Sequence, residues 1–156
     1  MSYLVDTSVL VRLANVADQL YSVANDAIFE LHRRGEVLQL TPQVLIEFRG
    51  VATRPIVNNG LGLTAAEVEI AAADFESVFP VIPEMPDIYS AWKSLVRSAA
   101  VIGKRVHDAR LTAVCQVNAL SGILTFNISH FSSLAAHVPG LRVVDPANVH
   151  GPTSSP

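Results

Sequence analysis

Three acidic side chains occupy positions where the strands and helices of the predicted fold meet: Asp6, Glu47 and Asp108. Asp6 follows the short apolar run of residues 3–5 and directly precedes an apolar pattern with helical spacing. Carboxylates gathered at one edge of a sheet repel one another, and a divalent cation is the usual way of relieving that repulsion. Oxygen ligands suit Mg²⁺ or Mn²⁺ better than zinc. The three acids therefore predict a site for a divalent metal ion.

Each of these acids also has an ordinary structural interpretation. Asp6 could simply cap the helix that follows it, and on that stretch alone the two interpretations carry equal weight. Glu47 could face solvent, although Ile46 and Phe48 give it a mostly apolar neighbourhood. An isolated aspartate at the place of Asp108 is more often a helix cap than a ligand. The functional interpretation depends on whether the fold brings the three side chains together.

Short apolar strands alternate with helical patterns along the chain. The predicted strands cover residues 3–5, 37–40, 79–82, 123–126 and 141–144, and a proline interrupts the third of them. The predicted helices lie between them: residues 9–13, 20–34, 42–54, 65–78, 86–103 and 108–122. Such alternation predicts an α/β fold, a single domain with three layers (α/β/α) and a parallel sheet of roughly five strands.

The carboxyl edge of this predicted sheet is where its ligand site belongs. In a right-handed parallel sheet, segments that leave strands and enter helices share that edge. Asp6 and Glu47 therefore belong there directly. Asp108 opens the helix that precedes the fourth predicted strand, so it lies at the same edge only if residues 103–107 lead back to that edge. The length of this segment permits it.

Composition sets further limits on the function. The 156 residues carry 11 Lys and Arg against 14 Asp and Glu, a net charge of −3, which disfavours a broad nucleic-acid-binding face but allows a local one. No apolar run approaches the ~20 residues of a membrane span, and no signal-type segment begins the chain. The single cysteine, Cys115, excludes an intrachain disulfide and a cysteine-only zinc site. A cytoplasmic protein without membrane contact is expected, with one domain over residues 1–147 and a disordered tail over residues 148–156.

An ordered set of short motifs resembles a known family. The motifs are Tyr-Leu-Val-Asp-Thr-Ser-Val at residues 3–9, Val-Leu-Ile-Glu-Phe at 44–48, His-Asp-Ala-Arg-Leu at 107–111, and Leu-Thr-Phe-Asn at 124–127 followed by Phe131. Together they resemble PIN-domain ribonucleases, and among these the VapC-type toxins of prokaryotic toxin–antitoxin pairs. Each motif alone is weak, but the set spans nearly all of the chain up to Pro146 in the family's order.

The resemblance implies a Mg²⁺-dependent endoribonuclease, with Mn²⁺ as a possible substitute, that hydrolyses RNA with water activated by the metal. It also implies a parallel five-stranded sheet, a homodimer and a cognate antitoxin that blocks the acidic groove. By residue match, Asp6 and Asp108 are the expected metal ligands, and Glu47 is the third catalytic acid, which positions the water or acts as a base. Five other residues are candidates for contacts to the substrate or to the acids: Thr7, Ser8, Arg110, Asn127 and His130.

The chain departs from the family pattern after the fourth predicted strand. There the family usually carries another acid, whereas this chain has Asn127 and His130. Asn127 still offers a carbonyl oxygen, and His130 can hydrogen-bond to water or phosphate, beside the groove or out in solvent. The number of bound metal ions therefore stays open.

Other functions remain compatible with these residues. A PIN-like module that binds RNA or a partner without cutting is one alternative, and a metal-dependent phosphohydrolase is another. A phosphotransferase of the haloacid dehalogenase type begins with strand and Asp, but Ser8 occupies the place of its second Asp. Six cations near the motifs could contact RNA phosphates or be ordinary surface charge: Arg12, Arg49, Arg54, Lys104, Arg105 and Arg110.

Overall fold

Four parallel strands form the central sheet within residues 1–151, the part of the chain that a computed structural model describes. The strands are β1 (Ser2–Val5), β2 (Val37–Gln39), β3 (Gly122–Leu124) and β4 (Arg142–Val144). Their order across the sheet is β2-β1-β3-β4, so β1 lies between β2 and β3. The predicted α/β class with a parallel sheet is confirmed. Residues 152–156 of the predicted tail lie outside the described part.

Seven α-helices surround this sheet in the described residues. They are α1 (Thr7–Leu13), α2 (Tyr21–Arg33), α3 (Pro42–Thr53), α4 (Ala65–Val78), α5 (Ile88–Ser98), α6 (Arg105–Val117) and α7 (Ile128–Ala135), with 3₁₀ turns at Ile56–Asn58 and Pro146–Asn148. Helix α1 packs on α2 and α3, and α3 packs on α4, whereas α6 packs on α5 and α7. The helices thus form two groups, α1 to α4 and α5 to α7. A parallel sheet needs helices on both of its faces, and two groups can cover them. None of the helices in residues 1–151 is long and apolar enough to cross a membrane.

Local capping signals fix several helix boundaries as the sequence predicts. Thr41 accepts a hydrogen bond from the backbone of Val44 and begins α3, with Pro42 in its first turn. Thr64 and Glu67 form a reciprocal capping box that begins α4. These signals act within four residues and do not depend on the rest of the fold.

The predicted fifth strand, over residues 79–82, is reduced to a single bridge. Leu40 donates to the carbonyl of Pro80 over 2.9 Å and accepts from Ile82 over 2.8 Å, and Leu40 pairs with Val81. Pro80 has no N–H to donate, so the ladder cannot extend. The expected strand number is therefore wrong by one, although the chain does pass alongside the end of β2.

The helix that carries Asp108 begins and ends earlier than predicted. It starts at Arg105, so Asp108 lies in its first turn instead of at its cap. It ends at Val117, and Gly122, predicted to terminate it, is the first residue of β3. A Cβ at Gly122 would lie 2.8 Å from the Tyr3 ring, so only glycine allows β3 to pair this closely with β1.

Fully buried apolar residues flank the predicted site residues. Val5 precedes Asp6, Phe48 follows Glu47, Ala109 follows Asp108, and Phe131 follows His130; each of these four neighbours is completely inaccessible to solvent. The polar side chains are thus attached to backbone that the core holds in place.

Candidate active site

Asp6, Glu47 and Asp108 line one groove of about 860 Å³. The end of β1 supplies Asp6, the second turn of α3 supplies Glu47, and the first turn of α6 supplies Asp108. The structure thus brings together the three acids that the sequence analysis singled out. Thr7, Ser8 and Asn127 line the same groove.

Asp6 caps α1 and faces the groove at the same time, so its two interpretations are not exclusive. One carboxylate oxygen, Oδ2, accepts hydrogen bonds from the Ser8 N–H at 3.3 Å, the Ser8 hydroxyl at 2.6 Å and the Thr125 hydroxyl at 2.7 Å. The other oxygen, Oδ1, has no hydrogen-bond donor within residues 1–151. Three donors on one oxygen fix the orientation of the carboxylate and leave Oδ1 for an external ligand.

Glu47 is half-buried and hydrogen-bonded at both carboxylate oxygens, so it does not point into solvent. Its Oε2 accepts from the Thr7 hydroxyl at 3.1 Å, and its Oε1 accepts from Gln43 Nε2 at 2.7 Å. Gln43 also donates to the carbonyl of His107 at 3.0 Å and accepts from Arg110 at 2.9 Å. Through Gln43, Glu47 on α3 is therefore tied to α6.

Asp108 lies in an electrostatic environment that disfavours its ionised form. Burial raises the pKa of its carboxyl above the usual value; the His130 charge opposes this, and the charges of Asp6 and Glu47 raise it further. His130 Nδ1 lies 3.4 Å from Asp108 Oδ2. The charges of the three carboxylates therefore repel one another. A bound cation stabilises such a site because it offsets this repulsion.

His130 stands beside Asp108 while keeping 54% of its side chain exposed. Arg105 donates to the His130 carbonyl at 2.6 Å and to the Ser133 hydroxyl at 2.5 Å, and so ties α7 to the start of α6. The ring thus lies next to an acid, but it stays more than half exposed and is not among the residues that line the groove, so its placement falls between the two that the sequence allowed.

The cations near the motifs divide into paired and unpaired ones. Arg49 binds Glu69 at 3.0 Å and Arg110 binds Glu84 at 2.7 Å, while Arg12 lies 3.5 Å from Asp18. Arg12, Arg54 and Lys104 line the groove. Arg54 and Lys104 make no ion pair with any described residue, so their charges are available to an anionic ligand.

Two buried polar residues of the site escaped the sequence analysis as candidates. Thr125 lies beside Asp6 because β3 pairs with β1 in a register that matches Leu124 to Val5. Gln43 lies four residues before Glu47 on α3, a spacing that places two side chains on one helix face. The i, i+4 spacing could have identified Gln43, whereas Thr125 needed the strand register.

The oxygen ligands of the groove fit a hard divalent cation better than a transition metal. The described residues contain no group of three or more His, Cys, Asp or Glu side chains poised to hold one ion. Asp6 Oδ1 accepts no hydrogen bond from the described residues, and Asp108 Oδ2 has His130 Nδ1 3.4 Å away. Mg²⁺ keeps several waters and is usually bound by only one or two protein carboxylates, which fits the oxygen donors of this groove.

Comparisons with known proteins place the fold. No family model matches the sequence, and no curated protein matches it. Among solved structures, the chain is similar to VapBC2 from Rickettsia felis, which was crystallised bound to a DNA fragment from its promoter. The two chains align with a TM-score of 0.66 and 18% identity, over 93% of this chain and 98% of the other. It is also similar to Mycobacterium tuberculosis VapC20, described as a sarcin-ricin loop cleaving toxin (TM-score 0.63, 22% identity, 84% and 94% covered).

A third structure, VapBC-1 from nontypeable Haemophilus influenzae, aligns with a TM-score of 0.61 at 14% identity over 95% of this chain and 100% of the other. At these identities the likeness establishes the fold. The chain has the PIN-domain fold of VapC toxins, and the resemblance drawn from the motifs is confirmed at that level.

Proposed function

We propose that this protein is a divalent-metal-dependent endoribonuclease that hydrolyses phosphodiester bonds of RNA, and that it is the toxin of a toxin–antitoxin pair. The observation that carries the proposal is the convergence of Asp6, Glu47 and Asp108 on one groove from three separate elements. A cluster of carboxylates with interacting charges in a groove is costly to fold unless it serves a ligand, which makes it a candidate functional site.

Each residue has a distinct role in this proposal. Asp6 and Asp108 would hold Mg²⁺ or Mn²⁺, which when bound neutralises phosphate charge and makes water a better nucleophile. Glu47, held by Thr7 and Gln43, orients the attacking water or accepts its proton. Arg54 and Lys104, unpaired among the described residues, bind the backbone phosphates of the RNA.

The partners in this proposal follow from the similar solved structures. Two of the similar structures are VapBC complexes, and a third protein is described as cleaving the sarcin-ricin loop. We propose that a cognate antitoxin covers the acidic groove of this chain. We also propose that the chain forms a homodimer and acts in the cytoplasm.

The test is a cleavage assay of the purified protein on a mixed RNA pool with Mg²⁺, Mn²⁺ or EDTA. Cleavage is expected with either metal and none with EDTA. Asp6→Asn is expected to abolish it while the far-UV circular dichroism stays that of the wild type. Cleavage that persists in EDTA, or in Asp6→Asn, would refute the proposed site.

A second candidate is a PIN-like module that binds RNA or a partner without cutting. It is favoured by His130 next to Asp108, at the place where the family resemblance leads us to expect an acid. This candidate predicts RNA binding that is independent of Mg²⁺ and no cleavage products. The same assay, read by gel shift as well as by fragment length, separates the two.

A further inference from the structure

An aromatic pocket of about 260 Å³ opens next to the acidic groove. Its lining residues are Tyr89 and Trp92 of α5 together with Val106, His107 and Arg110 of α6. His107 lines both the pocket and the groove, so the two cavities lie side by side on the surface. A ligand long enough to pass His107 can therefore occupy both.

Tyr89 and Trp92 form a preorganised flat surface. Their rings are 5.6 Å apart between centroids and inclined by 26°. Trp92 Nε1 donates to the carbonyl of Val106 at 2.9 Å, which fixes the indole against α6, while Tyr89 remains 66% exposed. An exposed stacked pair whose polar edge is already satisfied is suited to receive another flat ring.

Lys93 brings positive charge to the pocket, and Arg110, whose own charge is paired with Glu84 at 2.7 Å, links the pocket to the acids. Lys93 Nζ lies 5.6 Å from the centre of the Tyr89 ring. Arg110 donates to Gln43 Oε1 at 2.9 Å, and Gln43 in turn donates to Glu47 at 2.7 Å. Gln43 thus connects Arg110, at the edge of the pocket, to Glu47 in the groove.

We propose that this pocket, defined by Tyr89, Trp92, Val106, His107 and Arg110, is a nucleobase subsite that takes an unstacked base of the RNA whose backbone runs through the groove. The inference rests on the proposed function and adds how the substrate is held. Single-stranded RNA is recognised by bases splayed onto aromatic side chains, with cations along the phosphates. The pocket is smaller than the ~300–1,000 Å³ of sites for drug-sized ligands, which suits one ring system.

The single tryptophan of the chain makes the subsite directly observable. Trp92 is the sole source of indole emission, so a base that stacks beside it changes the fluorescence without any label. The probe is single-stranded RNA of mixed sequence, titrated in EDTA so that no cleavage occurs. An abasic oligomer with the same ribose-phosphate backbone is titrated in parallel.

RNA is expected to quench Trp92 emission, and the abasic oligomer is expected to bind more weakly without quenching. Tyr89→Ala should raise the Kd for RNA by about 5- to 150-fold, the loss typical of one stacked base. Tyr89→Phe keeps the ring and should recover that affinity. Phe29→Ala, which removes an equally exposed aromatic ring from α2, is the matched control and should bind RNA as the wild type does.

The subsite is refuted if RNA binds without altering Trp92 emission, if the abasic oligomer binds equally well, or if Tyr89→Ala keeps the wild-type Kd. Any of these results would show that no base of the RNA occupies the pocket. RNA binding with quenching but no cleavage under Mg²⁺ would instead refute the nuclease proposal and leave the subsite standing. Cleavage by the wild type with an unchanged KM in Tyr89→Ala would refute the subsite alone.

Discussion

Thr125→Val is the perturbation that most directly tests how Asp6 is held. Thr125 is completely buried, and its hydroxyl donates to Asp6 Oδ2 at 2.7 Å while accepting from the backbone N–H of Asn127 at 2.9 Å. Valine has nearly the same shape, so the substitution removes these two hydrogen bonds and little packing. The hydrogen bond to the charged Asp6 contributes about 1.5–3 kcal/mol and the neutral one from Asn127 contributes about 0.5–1.5 kcal/mol, which together make about 2–4.5 kcal/mol. At about 2–4 °C per kcal/mol for a chain of this size, Tm should fall by about 4–18 °C.

Thr125→Val should weaken metal binding and RNA cleavage as well as the stability of the fold. Partners that orient a ligating carboxylate typically contribute about 10- to 100-fold in metal affinity or activity. We therefore expect Thr125→Val to weaken Mg²⁺ binding, measured by calorimetry, and RNA cleavage by factors in that range. Thr125→Ser, which keeps the hydroxyl, should restore most of both.

Thr112→Val is the matched control for this experiment. Thr112 is also completely buried, but its hydroxyl donates at 2.9 Å to a backbone carbonyl, that of Asp108. A neutral hydrogen bond contributes only about 0.5–1.5 kcal/mol, so Tm should fall by about 1–6 °C. If Thr125→Val costs no more stability than Thr112→Val and leaves Mg²⁺ affinity unchanged, the Thr125–Asp6 hydrogen bond does not position the site.

Three further predictions concern charge. Because burial raises the pKa of Asp108, ionisation of this carboxyl destabilises the folded protein as pH rises through that pKa. Asp108→Asn should therefore have a higher Tm than the wild type in EDTA at neutral pH, and the difference should vanish below the ordinary pKa of 3.8. With Mg²⁺ added, the Tm of Asp108→Asn should be lower than that of the wild type, because the variant has lost a ligand. A lower Tm in EDTA at neutral pH would contradict the assignment. His130→Asp adds a carboxylate beside Asp108 and should tighten Mg²⁺ binding in a calorimetric titration, whereas equal affinities would exclude position 130 from the metal site. Hydrogen bonds from Arg33 and Arg34 lower the pKa of Glu30 to about 2, so its stabilisation is complete above pH 4.5 and lost as pH falls towards 2. Glu30→Gln should therefore lower Tm at neutral pH and flatten the acid limb of a Tm-versus-pH profile, and an unchanged limb would show that Glu30 is not its source.

The sequence by itself determined the features that short-range chemistry controls. The capping box at Thr64 and Glu67 and the Thr41–Pro42 start of α3 need only residues within one helical turn, and they lie where they were predicted. Alternation of strands and helices was enough for the α/β class. Asp6 and Glu47 could be placed at one edge because topology rules govern where parallel strands end, and the length of residues 103–107 allowed Asp108 to join them.

Tertiary structure decided what depends on contacts between distant segments. Pro80 stops a fifth strand, but that the chain still bridges to Leu40 depends on how residues 79–82 pass the end of β2. The start of α6 at Arg105 places Asp108 one turn inside the helix instead of at its cap.

The partners of the acids were the least predictable part of the site. Thr125 reaches Asp6 across 119 residues of chain, and it does so only because β3 pairs with β1 in one register. A shift of that register by one residue would turn Thr125 to the other face of the sheet. The sequence carries the identities of these side chains, but which of them meet is set by the packing of the whole core, since strand register is a property of both strands and of the apolar faces that cover them.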